Sequence, residues 1–137
     1  MAKIDRAGFE VLDNEGCYEL LAGARLGRVG VTVDDHPAIF PVIFAVVERQ
    51  VVFATGPGTK LTAAVGGKVV AFEADWVDWA NRQAWSVQLV GMSMMIEPGS
   101  DLDAAAKAAL PTLAPMRSRF LVKIRPTEMS GRRLPPR

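Results

Sequence analysis

At 137 residues the chain has the size of one domain and can bury a core of its own. Half of its residues are apolar and 23% are charged, the balance of a folded globular protein, and no apolar run approaches the roughly 20 residues a membrane helix needs. One cysteine, Cys17, and one histidine, His36, exclude an intramolecular disulfide and a zinc site of the ordinary kind. Met1 to Arg6 lacks the apolar core and cleavage site of a secretory leader, so the expected compartment is the cytoplasm.

The net charge of +1 conceals an asymmetry. Residues 1–116 carry nine basic and fourteen acidic side chains, whereas residues 117–137 carry seven basic and one acidic. Arg117, Arg119, Lys123 and Arg125 alternate with Phe120, Val122 and Ile124, which reads as the outer face of a strand with its apolar residues inside. A run of interleaved aromatics like that of an RNA-binding sheet is absent, so nucleic acid is not the expected partner.

In chain order, Asp13 or Asn14 caps a helix with Cys17, Leu20, Leu21 and Ala24 at helical spacing, ended by Gly23 and Gly27. Strands follow at Arg28–Val33, Ala38–Val47 and Val51–Thr55, joined by Asp34-Asp35-His36-Pro37 and Glu48-Arg49-Gln50. Gly56-Pro57-Gly58 breaks the sheet, and Thr59 caps a short helix to about Val65, closed by Gly66-Gly67. A strand spans Lys68–Asp75, its apolar start predicting burial on both faces. A long strand covers Ala84 to about Ile96. Asp101 caps an alanine-rich helix, Leu102–Leu110. A linker with Pro111 and Pro115 leads to a last strand from Ser118 to about Arg125, and Gly131–Arg137 reads as an irregular tail.

Six strands with mostly hairpin connections predict an antiparallel barrel, mostly β, with a few short flanking helices. There is neither the regular strand–helix alternation of a doubly wound sheet nor the glycine-to-lysine spacing of a Walker loop.

One segment has a logic for holding an anion. Phe53-Ala54-Thr55 ends a strand, glycines free the backbone, and Thr59, Lys60 and Leu61 open a helix. Unpaired N–H groups, two hydroxyls and an ammonium there suit a phosphate; a capped turn with an exposed lysine is the plainer alternative.

Taken together, several segments in this order resemble the pyridoxamine 5′-phosphate oxidase-like family of flavin-binding split barrels, over roughly residues 10 to 132. They are Leu26-Gly27-Arg28-Val29-Gly30-Val31, His36 to Val42, Phe53-Ala54-Thr55 with Thr59-Lys60-Leu61, Phe72-Glu73-Ala74-Asp75, Trp85-Ser86-Val87 with Gly91, and Pro126 to Arg132. The resemblance implies a six-stranded split β-barrel that forms a homodimer with cofactor sites at the interface. By it, Thr55, Thr59 and Lys60 hold a phosphate, and Pro41, Val42, Ile43 and Phe44 present backbone groups to a flavin ring. Leu61 lies at the same site, and Trp85 and Ser86 come from the opposite subunit. Phe44 and Trp85 have the alternative of being core residues.

The implied cofactor is FMN, or the deazaflavin coenzyme F420, serving hydride transfer to or from a small organic substrate. The alternative is a split barrel that holds flavin, deazaflavin or haem without turnover, with His36 the only histidine for a haem. Members that oxidise pyridoxamine phosphate have a basic strand leading to the phosphate loop. Val51-Val52-Phe53 is apolar, which argues against that reaction here.

Overall fold

The computed structural model describes residues 3–110 and 119–135. Along them run β1 (Lys3–Ile4), β2 (Glu10–Leu12), α1 (Asn14–Ala22), β3 (Leu26–Val33), β4 (His36–Val47) and β5 (Gln50–Thr55). These are followed by α2 (Lys60–Ala64), β6 (Lys68–Asp78), β7 (Gln83–Met95), α3 (Asp101–Ala109) and β8 (Phe120–Arg133). Every pairing is antiparallel.

Six strands close a ring in the spatial order β3, β4, β5, β8, β7, β6 and back to β3. This is the barrel the hairpin spacing predicts. The β1–β2 hairpin adds itself to the end of β8 and was not expected, because two- and three-residue strands carry no readable alternation.

Local chemistry accounts for the element ends. Asp13 accepts from Gly16 N at 2.8 Å and caps α1, and Thr59 accepts from Thr62 N at 3.0 Å and caps α2. Ser100 rather than Asp101 caps α3, accepting from Asp103 N at 3.2 Å. Asp34 and Asp35 (φ 49° and 61°) form a two-residue turn, as do Glu48 and Arg49 (φ 52° and 60°). His36, Pro37 and Gln50, expected in the turns, therefore belong to strands.

The predicted tail also needs correcting. Gly131, Arg132 and Arg133 lie in β8, paired with β2 on one side and β7 on the other. Arg132 binds Asp5 at 3.1 Å and Arg133 grips Glu10 through two nitrogens, so hairpin and tail neutralise each other's charge. The expected strand start at Ser118 and the prolines Pro111, Pro115 and Pro136 fall outside the described residues.

The core fills the barrel with alternate residues of each strand. Phe44, Phe53 and Phe72 stand at its centre, Phe44 and Phe72 meeting edge to face at 4.8 Å between centroids. Helix α1 seals one mouth with Cys17 and Leu21, and α2 contributes Leu61 and Ala64. A smaller core lies on the outer face, where α3 packs Ala106 and Leu110 against Val52 and Leu121. Phe120, read as inward-facing, is 43% exposed because its partner Thr55 is the last residue of β5, at the edge of the packed interior.

β7 and β8 slip register at Val90 and Gly91. A Cβ on Gly91 would overlap the Arg125 carbonyl oxygen and lie 2.7 Å from its carbon, contacts of backbone that cannot step aside. We expect Gly91→Ala to destabilise the chain by ~2 kcal/mol or more in urea unfolding. Gly23→Ala, whose Cβ would sit 3.8 Å from Leu20 O, should change stability by less than ~0.5 kcal/mol.

Candidate functional site

Thr55 ends β5 with its side chain turned inward and only 5% of the residue exposed. Its hydroxyl lies 3.1 Å from that of Thr59 and 3.0 Å from that of Thr62, and Thr59 and Thr62 are 2.8 Å apart. Thr59 and Thr62 also reach the Gly56 carbonyl. Five contacts thus draw on three hydroxyl protons, so they cannot all be hydrogen bonds at once. An acceptor placed here would draw a hydroxyl proton away from one of these contacts rather than find a spare one.

The Gly56–Gly58 turn, with Gly58 at φ +72°, carries the chain from this cluster into α2. Lys60 opens the helix and is exposed, its ammonium having no carboxylate within 4 Å among the described residues. No carbonyl of those residues accepts from the backbone N–H of Lys60 or Leu61. The loop therefore gathers hydroxyls, free N–H groups and one positive charge. Thr62 was not singled out from the sequence, although its i+3 spacing from Thr59 is the available signal.

Strand β4 completes one side. Its pairing with β5 runs from Phe44↔Phe53 to Val47↔Gln50 and stops, while its pairing with β3 continues to Val33↔His36. One edge of β4 from His36 to Ile43 is consequently free of ladder bonds among the described residues. This is the split in the barrel. Continued register would set Val42 beside Thr55 and Pro41 beside Gly56, so the free edge opens toward the threonine loop. Val42 and Phe44 are buried in the core, whereas Pro41 and Ile43 turn outward. Leu61 is buried too and anchors α2 from the inside.

Trp85 and Ser86 do not share a face. Trp85 packs on the barrel core beside Leu20, across from Trp76 on β6; Ser86 lies on the outer face, across from Asp75 and Arg132. Strand alternation sends their side chains apart, and within one chain neither accompanies the threonine loop.

The outer face holds a charged group that the sequence did not flag as a unit. Arg28 Nη1 lies 3.2 Å from both Glu73 and Asp75, because β3 pairs Arg28 with Glu73 and alternation brings Asp75 to the same face. Burial pushes the Glu73 carboxyl up to about 7, with a hydrogen bond and repulsion from Asp75 adding to it and Arg28 opposing. Around the cluster Ile39 is 73% exposed and Val69 65%, with Gly30, Ala71 and Val90 between. The apolar start of β6 had predicted burial on both faces. In a single chain only Val70 and Phe72 are covered.

The model of the pyridoxamine 5′-phosphate oxidase family matches residues 13–133. The chain belongs to that family. Relatives within and around the family are close enough to compare. An uncharacterised protein of Mycobacterium tuberculosis, Rv0080, is 39% identical over 87 residues, or 60% of this chain; the match spans 57% of that protein's length. The structure of an FAD-binding protein from Mycobacterium smegmatis is 38% identical and superposes with a TM-score of 0.76 over 90% of this chain and 98% of the other. An FAD-binding protein from Mesorhizobium loti, 19% identical, shares the fold with a TM-score of 0.73 over 91% and 97%. The two solved structures share the fold of this chain.

The raised Glu73 sets a sign for pH dependence. A carboxyl that ionises less readily folded than unfolded favours folding at low pH. Its contribution is complete below about 4.5 and lost as pH rises through about 7. Urea midpoints should fall between about pH 5 and about pH 8, and Glu73→Gln should flatten that slope. An unchanged slope in the variant would assign the loss to another group.

Proposed function

We propose that the chain binds a flavin nucleotide at the split and works as an oxidoreductase, as a homodimer with the cofactor between subunits. The observation that carries this reading is the opening of β4's free edge toward the Thr55–Thr59–Thr62 loop and Lys60. Free strand-edge amides and carbonyls suit the hydrogen-bonding edge of a flavin ring, and the loop suits its phosphate. Thr55 and Thr59 would donate to phosphate oxygens and Lys60 would add charge. Val42 and Phe44 hold the strand edge in place from the core side.

The flavin ring supplies the hydride chemistry when bound. The chain's own part is to position the ring and keep one side dry. The only histidine, His36, is in an exposed position with Nδ1 2.7 Å from Asp34 O, and is not at the loop. The 38% identical M. smegmatis protein binds FAD, which supports a flavin and adds FAD to FMN and F420 as ligands to test.

The dimer reading rests on the bare outer face. Ile39, Gly30, Val69, Ala71 and Val90 form a contiguous apolar surface of the kind that a second copy covers. Pairing there also gives the apolar start of β6 the two-sided burial its sequence suggests. It sets Ser86 on a face that a second copy's cofactor can approach, whereas Trp85 remains with its own core.

Titration of FMN, FAD and F420 by fluorescence should give saturable binding for at least one, weakened by ~1–3 kcal/mol in Lys60→Ala. An unchanged dissociation constant would remove Lys60 from the site. A bound cofactor that no nicotinamide or reduced deazaflavin reduces would leave a binding protein without turnover. Sedimentation at micromolar concentration should show a dimer, and Val69→Glu, which places a charge on the apolar face, should give a folded monomer.

A further inference from the structure

The basic C-terminal segment is only partly accounted for by the fold. Arg132 and Arg133 are neutralised by Asp5 and Glu10. Lys123 and Arg125 are not: among the described residues neither has a carboxylate within 4 Å. Val122 and Ile124 are fully buried, so alternation turns Lys123 and Arg125 together onto the outer face. Their cross-strand neighbours on β7 are Met94 and Met92, which are 45% and 39% exposed. Two like charges two residues apart on one strand face repel each other, and methionines beside them supply no compensation.

These four side chains line a groove of about 730 Å³, the size of a small-molecule site. Its far wall is the β4–β5 turn, which α1 contacts through two side chains. Tyr18 on α1 donates to Arg49 O at 3.0 Å, the Arg49 guanidinium lies 4.7 Å from the Tyr18 ring centroid, and the same guanidinium pairs with Glu15. Among the described residues Glu48 is the one carboxylate in the lining, and Gln50 adds a neutral polar group. With Arg49 satisfied by Glu15, the groove keeps one unbalanced positive charge. Leu121, the next outward residue of β8, is covered by α3, which separates the groove from the exposed end of the strand beside Thr55.

We propose that this groove is a second ligand site, for a small organic anion. Lys123 and Arg125 hold its phosphate or carboxylate group, and Met92 and Met94 cover an apolar body. Methionines suit that role because an unbranched thioether adapts to irregular shapes. The site is independent of the flavin reading.

The test is an NMR titration of the full chain, labelled on backbone nitrogen and methionine methyl groups, with hexyl phosphate. Inorganic phosphate and hexanol serve as the separate halves of the probe. Hexyl phosphate should shift the amides of Gln50, Lys123 and Arg125 and the methyls of Met92 and Met94, saturably and at least ten times more tightly than either half. Lys123→Gln with Arg125→Gln should weaken binding at least tenfold while the rest of the spectrum is unchanged. Shifts confined to Thr55–Lys60, or equal in wild type and double variant, would overturn the proposal. So would shifts at the groove caused by FMN or FAD and abolished by Lys60→Ala, which would make it part of the flavin site. Shifts at Gln50, Lys123 and Arg125 that follow protein concentration without any probe, beyond those at Met92 beside the proposed dimer face at Val69, would assign the groove to a second copy of the chain and overturn it as well.

Discussion

The ring of strands closes through β8, and most of the molecule depends on how that one strand is shared. Its first half pairs with β5 on one edge while it pairs with β7 along nearly its whole length on the other. Its last residues take on β2 where β5 is no longer beside it. Where β8 has a partner on both edges, at Val122–Ile124 and Gly131–Arg133, it leaves no border for another chain to pair with. The register slip at Val90 and Gly91 gives β7 and β8 the local bend that closure requires, and the close approach of Arg125 to Gly91 leaves no room for a side chain.

Closure at β8 has a counterpart at β4. Because β5 is half the length of β4, the two separate after Phe44 and Phe53, and the remaining part of β4 keeps an edge without a strand partner. Into the space where β5 ends, the chain places three threonines, two glycines and a lysine. The barrel's stability and its candidate site are thus parts of one arrangement: a ring held shut on one side and parted on the other. Family membership sets the architecture and leaves the reaction to the site's own chemistry.

The elements were largely legible in the sequence because their signals are local. Caps at Asp13 and Thr59, glycines at positive φ after α2, and alternation along β3 and β7 each act within a few residues. The threonine loop was legible for the same reason, since its hydroxyls lie within eight residues of one another. The misread parts depend on distant partners. Gly131 to Arg133 look like a frayed tail until Asp5 and Glu10 arrive beside the two arginines. Phe120 looks like a core residue until β5 is seen to end at its side.

Two further features show where sequence reading reaches its limit. Trp85 and Ser86 sit together in a motif, yet a strand turns consecutive side chains to opposite faces, so they serve different surfaces. Arg28, Glu73 and Asp75 belong to different strands and meet only because β3 and β6 pair in one register. By itself the sequence determined the barrel class, the order of its strands and the hydroxyl-rich loop, since alternation, capping and turn chemistry are properties of neighbouring residues. Only the tertiary structure decided where the barrel parts, which charges are neutralised and which apolar face stays bare, because each depends on register between strands far apart in the chain.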